Sequence, residues 1–268
     1  MSRLHNNEYT IWNLEDFLIL IFFIVIITVY VSAVKQANRK YRNKWPIHRN
    51  CLFISGVICI MFAVFGPIAE YAHHHFVFHM YSHLMLGMLG PLLMALSAPM
   101  TLLLRSLSVR HARKISKLLK SKYVQFVSHP IIASILNLGG LWILYTTSLF
   151  ETMHHSTILY VLVHTHIFLA GFLFTIAIIY IDPTPYRRSF LLRSVVLVLY
   201  MAGHSILSKW IFANPPVGVK QHEAEIGGMT MYYGGDLIDV MIAIILCYQI
   251  YKSESLKNIR KAIQLKLN

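Results

Sequence analysis

Residues 77–104 read VFHMYSHLMLGMLGPLLMALSAPMTLLL, a stretch of 28 residues without Asp, Glu, Lys or Arg. A hydrocarbon core of about 30 Å needs a helix of about 20 apolar residues, since each residue advances a helix by about 1.5 Å. Only helices and closed barrels satisfy their backbone groups in lipid, and so continuous a run is typical of a helix. The stretch therefore predicts a membrane-spanning helix. A straight helix of this length would measure about 42 Å, so we expect a kink at Pro91 or an end near Pro99.

Six further stretches have the same apolar character. The seven predicted spans run roughly over 14–34, 52–69, 77–104, 124–149, 158–181, 190–212 and 232–251. The composition agrees, since 56% of the residues are hydrophobic and 13% are charged, which is typical of membrane proteins. No linker rich in Gly, Pro and Ser divides the chain. We therefore predict an all-α membrane protein, a seven-transmembrane helix bundle that forms a single polytopic domain over residues 1–268.

The basic residues indicate which way the spans run. Of the 24 Lys and Arg residues, 21 fall in four segments on one side of the predicted spans, namely 35–49, 105–122, 187–193 and 252–266. The positive-inside rule places that side in the cytoplasm, with the N-terminus outside and the C-terminus cytoplasmic. Anionic lipid attracts such segments, so the net charge of +13 predicts contact with membrane lipid and no nucleic-acid partner.

Histidines concentrate at the predicted outer ends of the helices. They form clusters at 73–83 and 154–166, and His204 and His222 lie with several carboxylates in a third. Imidazole is the commonest metal ligand in proteins, and ionisable groups inside a membrane are costly and usually functional. None of the three cysteines lies in a predicted outer loop, so an outer metal site would use His, Met and carboxylate ligands.

The first pair of candidate ligands is His79 and His83. Their i, i+4 spacing stacks them on one face of a helix, about 6 Å apart along its axis, so both can bind one metal ion. Three methionines lie close by in the sequence and offer soft thioether ligands: Met80, Met85 and Met88. The neighbouring histidines at 73–75 are interpreted as a solvated loop rather than as ligands.

The other candidates come from the fifth, sixth and seventh predicted spans. His164 and His166 lie about 200° apart on a helix, so at most one of them joins a common site easily. His204 is either a ligand or a packed polar side chain. Asp236 and Asp239 are favoured at a helix N-terminus by its dipole, or they pair with a metal or a protonated histidine. The predicted metal ligands are His79, His83, His164, His166, His204 and Asp236.

Several motifs resemble those of the CtaG family, the membrane assembly factors of caa3-type cytochrome c oxidases in Gram-positive bacteria. HMYSHLM (79–85), followed by GPLL and APMTLLLR (98–105), resembles the family's third-span motif, and HTHIFLAGFLF (164–174) its fifth-span motif. His204 lies where the family has a histidine in the sixth span. EAEIGG (223–228), Tyr232 and GDL (235–237) resemble the start of the family's seventh span, where the family often has Asp-Gln and a Trp.

This resemblance implies seven spans and a role in maturing a haem-copper oxidase through the handling of copper. We therefore expect a non-enzymatic assembly factor, a multi-pass protein of the bacterial cell membrane. It would act as a copper chaperone that binds copper at the outer membrane face and delivers it to cytochrome c oxidase subunits.

Two other functions fit parts of the pattern. A haem-binding electron-transfer or haem-handling membrane protein would use two histidines from different helices as axial ligands, and a Soret band would reveal it. A metal permease would need polar groups that continue to the inner face. The predicted cytoplasmic half of the bundle offers only scattered histidines and cysteines, which form no evident path for an ion.

The predicted topology can be tested by labelling from outside the cell. Single cysteines introduced into 70–76, 150–157 and 213–231 of a cysteine-free variant should react with an impermeant maleimide on intact cells. A cysteine in place of Lys117, which lies in a basic segment, should react only after the cells are opened. Protection of any of the three outer segments in intact cells would contradict the assigned orientation.

Overall fold

The computed structural model describes residues 14–267, and every regular element within that range is a helix. Arg3 and the predicted outer location of the N-terminus lie outside the described residues. The helices are α1 Leu14–Lys40, α2 Ile47–Val64, α3 Pro67–His74, α4 Phe76–Leu84, α5 Gly90–Leu96, α6 Pro99–Ser106, α7 Val109–Leu119, α8 Lys122–Val127, α9 Pro130–Thr146, α10 Leu149–His154, α11 Thr157–Ile178, α12 Phe190–Ala213 and α13 Gln221–Leu267.

Six helical segments among the described residues are long and apolar enough to cross a membrane. They are Phe17–Lys40, Ile47–His74, Phe76–Leu96, Thr157–Ile178, Phe190–Ala213 and Gln221–Ser255. They match all the predicted spans except the fourth, 124–149. That stretch contains α9, whose 17 residues measure about 25 Å and fall short of a hydrocarbon core of about 30 Å. The helices fit a multi-pass membrane protein, while the seventh crossing and the orientation stay predictions.

The third span contains both departures from a straight helix that its prolines predict. A π-helical turn, Met85–Leu89, joins α4 to α5 just before Pro91, and Pro91 has no N–H to give to the carbonyl of Gly87. Helix α5 ends at Leu96, and Ala98 adopts a left-handed conformation with φ of 58° before α6 begins. The span 77–104 is thus a crossing interrupted by a π-helical turn and followed by a separate short helix.

The carbonyl of Gly87 determines how closely α11 packs against this π-helical turn. A Cβ atom added to Gly171 on α11 would collide with the Gly87 carbonyl oxygen. Small residues at helix interfaces permit such close approach in membranes. The contact places His164 of α11, about two turns from Gly171, beside the histidines of α4.

Helix α13 packs antiparallel to α12 and along α4. Its glycines leave room for side chains of both neighbouring helices. Gly227 faces Phe76 and Met80 of α4, and Gly235 faces the ring of His204 on α12. The helix begins at Gln221, so the seventh span does not start at 232, and most of the predicted loop 213–231 is helical. The glycines that suggested a loop instead serve close helix packing, which the local sequence pattern does not distinguish.

The two ends of the bundle differ in composition. Parts of the three loops that are predicted to face outward lie together at one end. A pocket at this end is lined by residues of 72–76 and 150–155 and by Glu223. The other end joins basic segments, since Lys40 Nζ donates a hydrogen bond to the carbonyl of Leu107 at 2.8 Å. The histidine-rich loops therefore share one end, and the basic segments 35–49 and 105–122 meet at the other.

The close approach of α11 to the π-helical turn leads to a stability prediction. We expect Gly171→Ala to lower the free energy of unfolding by about 1–3 kcal/mol, because the new methyl group overpacks the contact with the Gly87 carbonyl. Gly139→Ala is the matched control, since a Cβ there meets only Ile135 at 4.0 Å. Thermal unfolding in detergent measures both variants, and equal midpoints would contradict the assigned packing.

Candidate functional site

The polar interior of the bundle has two layers. The layer nearer the histidine-rich end is formed by His79, His164 and Tyr145. His79 is 2% exposed, its Nε2 lies 3.1 Å from the Tyr145 hydroxyl, and its ring centroid lies 6.2 Å from that of His164. His164 Nδ1 donates a hydrogen bond to the Tyr160 carbonyl at 2.9 Å. A carbonyl oxygen only accepts, so Nδ1 carries the proton and Nε2 of His164 has its lone pair free for a ligand.

The deeper layer is the pair His83 and His204. The two rings are 3% and 0% exposed, their centroids lie 6.3 Å apart, and their planes differ by 23°. All four ring nitrogens lack a hydrogen-bond partner among the described residues. A buried polar group without a partner typically costs about 1–3 kcal/mol, so this pair is expensive unless something binds to it.

The carboxylates of α13 divide between the surface and the interior. Asp236 is partly exposed and accepts a hydrogen bond from Ser205 Oγ at 3.2 Å. Asp239 is 0% exposed, and neither of its oxygens has a partner among the described residues. Gly235 contacts the ring of His204, and Asp239 lies one turn further along the same face of α13. Of the two carboxylates, that of Asp239 is therefore the one that the helix directs toward the buried histidines.

His166 lies on a different face of α11 from His164. Its side chain is exposed, and its Nε2 donates a hydrogen bond to the Leu136 carbonyl at 3.1 Å. The ring packs over Gly140, where an added Cβ would come within 2.5 Å of Nε2. The structure therefore brings His164, and not His166, to the cluster with His79.

Among the side chains that the structure describes, those of residues 17–66 and 68–255, no three from His, Cys, Asp or Glu are placed to hold a metal ion together. The imidazoles instead form pairs. The ring centroid separations are 6.0 Å for His73–His154, 6.3 Å for His154–His79, 6.2 Å for His79–His164 and 6.3 Å for His83–His204. A metal ion lies about 2.0–2.1 Å from a ligating ring nitrogen, which places it about 3 Å from the centre of that ring. Two rings that bind one ion from opposite sides therefore have centroids about 6 Å apart.

Sequence reasoning missed two aromatic residues of the site. The ring of Tyr160 stacks on His164 at 3.9 Å and on His73 at 4.9 Å, while Tyr145 links His79 to the region of His83. The i, i+4 spacing of Tyr160 and His164 was a signal for the first. Tyr145 carries no local signal, because α9 brings it to α4 only in the folded bundle.

The nearby methionines serve packing. Met80 lies against Gly227 of α13, and Met88 belongs to the apolar core with Leu84 and Phe174. They are therefore less suited than the imidazoles to act as ligands.

The fold and the site define a class of protein: a multi-pass helical membrane protein with paired histidines buried near one end of its bundle. The sequence profile of the cytochrome c oxidase caa3 assembly factor family matches residues 28–253. The chain belongs to this family, as its histidine motifs predict.

Curated relatives are found among mycobacteria. A protein of Mycobacterium leprae is 32% identical over 204 residues, which are 74% of this chain and 31% of that protein. Proteins of Mycobacterium bovis and Mycobacterium tuberculosis are each 32% identical over 188 residues, 68% of this chain and 28% of theirs. All three are named as uncharacterized proteins. The chain spans less than a third of the length of these relatives, and no solved structure matches it.

The unpartnered carboxylate leads to a prediction about stability. Replacing a buried polar group that has no partner by an apolar group of the same shape is neutral or stabilising. Asp239→Leu keeps the branching at Cγ and should raise the free energy of unfolding by up to about 1–3 kcal/mol in metal-free protein. Asp236→Leu, which loses the bond from Ser205, should not. Thermal midpoints in detergent measure the difference, and a less stable Asp239→Leu would show that this carboxylate has a partner.

Proposed function

We propose that this protein matures a caa3-type cytochrome c oxidase by binding copper at the outer face of the bacterial cell membrane and passing it to an oxidase subunit. In this role it is a copper chaperone and not an enzyme. The observation that carries the proposal is the buried pair His83 and His204, whose four ring nitrogens have no partner within the described part of the chain.

The donor set supports copper over other cations. Imidazole nitrogens suit copper and zinc, and copper(II) lies above zinc in the usual order of affinity for divalent ions. Magnesium and calcium require several oxygen ligands, which this layer does not offer beyond Asp239. The client of this family, a haem-copper oxidase, needs copper, so the chemistry of the residues agrees with the family.

The paired arrangement supports copper as cargo rather than as a permanent structural ion. Structural metal sites in proteins are usually closed by four ligands. Here the imidazoles form two pairs. His79 pairs with His164, and deeper in the bundle His83 pairs with His204. An ion held by few protein ligands keeps open positions for an acceptor, which a donor of metal requires.

Haem handling is the alternative function. Two histidines from different helices, such as His83 and His204, are also a possible pair of axial ligands. The backbone of Gly235 packs so closely on the His204 ring that a Cβ there would collide with it. This packing argues against a porphyrin at the ring.

Variants of the buried pair test the function in cells. His83→Ala and His204→Ala should each leave the protein in the membrane but lower the copper content and the activity of the oxidase by about tenfold or more. The haem spectrum of the oxidase should persist, because only the copper supply is impaired. His111→Ala, at the basic end of the bundle, should behave as wild type.

The measurements are copper analysis and difference absorbance spectra of the same membranes. Normal oxidase copper with missing haem would overturn the proposal in favour of haem handling. Equal effects of His111→Ala and His83→Ala would show that the buried pair is not the site.

A further inference from the structure

The histidine-rich end of the bundle contains a pocket that is separate from the buried pair. Its volume is about 250 Å³, and five histidines contribute to its walls: His73, His74, His75, His154 and His155. This volume exceeds that of a hydrated ion, since a water molecule occupies about 30 Å³ in the liquid. We call this cavity the histidine pocket.

We propose that the histidine pocket is a second copper(I) site, which captures the ion at His73 and His154 and loads the buried layers through His79. The inference rests on the proposed function, which supplies copper as the cargo. It adds a site of capture and an order of ligands, neither of which follows from the assembly role.

Glu223 fixes the wall of the pocket. One oxygen of Glu223 accepts a hydrogen bond from the backbone N–H of Phe76 at 2.5 Å, and the other from His75 Nδ1 at 3.0 Å. These bonds tie the start of α13 to the start of α4. Because both of its oxygens are engaged, Glu223 is not a free ligand, and the other ligand groups that line the pocket are its imidazoles and the carboxylate of Glu151.

His154 is oriented as a ligand. Its Nδ1 donates a hydrogen bond to the Phe150 carbonyl at 2.8 Å, as His164 does to Tyr160 at 2.9 Å. In the neutral form of the ring, which is the form that binds a metal, both histidines therefore carry the proton on Nδ1 and present an unprotonated Nε2. Metal-binding histidines commonly donate their other ring N–H to a carbonyl in this way, which fixes both tautomer and ring orientation.

The imidazoles form a continuous series from the surface to the interior. His73 is exposed, His154 is partly buried, and His79 and His164 are 2% and 7% exposed. Successive ring centroids lie 6.0, 6.3 and 6.2 Å apart, and each neighbouring pair shares one histidine with the next. An ion can thus exchange one ligand at a time without being released.

Copper(I) is the oxidation state that suits this series. It accepts two or three ligands, so two imidazoles hold it and a third can join before the first leaves. Every ligand is a neutral imidazole, so the charge of the ion and its ligands does not change, and no electron is transferred. The ion's approach to the apolar interior therefore proceeds by ligand exchange alone.

Copper loading of the purified full-length protein in detergent tests this inference. Copper is kept reduced with ascorbate, and a chromophoric copper(I) chelator reports how much copper the protein retains and how fast that copper becomes protected. The variants are His154→Ala, the double variant His83→Ala with His204→Ala, and His155→Ala. The last is the matched control, because His155 lines the same pocket and follows His154 in sequence. Circular dichroism verifies that each variant is folded.

We expect wild type to hold one rapidly exchanging and one slowly exchanging copper(I). His154→Ala should lose the rapid one and should fill the slow site about tenfold more slowly or worse, reaching the same final occupancy. The double variant should keep the rapid ion and lack the slow one. His155→Ala should match wild type.

The outcomes separate this inference from the proposed function. Wild-type loading kinetics in His154→Ala, or equal slowing in His155→Ala, would overturn the capture site while leaving the buried site intact. A rapid ion in wild type without any slow ion would overturn the buried site and leave the pocket as a surface site. Wild type that retains no copper would overturn both.

Discussion

The packing of the His204 ring on the backbone of Gly235 is the contact on which the polar interior depends. A side chain at 235 would displace the ring, so α13 can approach α12 at this depth only through a glycine. The same helix places Gly227 against Phe76 and Met80, which draws α4 into the bundle. Four large imidazoles are therefore buried among helices that nonetheless pack closely, because small residues provide the necessary space.

This packing has a cost in stability. Unpartnered nitrogens on His83 and His204, with the unpartnered carboxylate of Asp239 nearby on α13, lie in an environment that offers little solvation. Proteins tolerate such groups mainly where function requires them. The interior of this bundle is thus less stable than an apolar one would be, and the binding of a cation is what offsets that cost in our proposal.

Pro91 connects the packing of the helices to the position of the site. It leaves the Gly87 carbonyl without its usual donor, and the π-helical turn and Gly171 accommodate that carbonyl. Helix α11 consequently lies close enough to α4 for His164 to reach His79. In our proposal, this geometry offers paired ligands rather than a closed four-ligand cage, which suits an ion that is passed on.

The sequence by itself determined the class of the protein, because only helices and closed barrels satisfy their backbone groups in lipid, and such long continuous apolar runs are typical of helices. It also determined that His79 and His83 share a face and that His164 and His166 do not, since helical spacing is a local property. The sequence did not determine where α13 begins. Its glycines predicted a loop, whereas in the structure they serve close helix packing. The pairing of His154 with His79, the role of Tyr145 and the burial of Asp239 were decided by tertiary structure alone. Each depends on contacts between residues far apart in the chain, and no local periodicity specifies which faces of different helices meet.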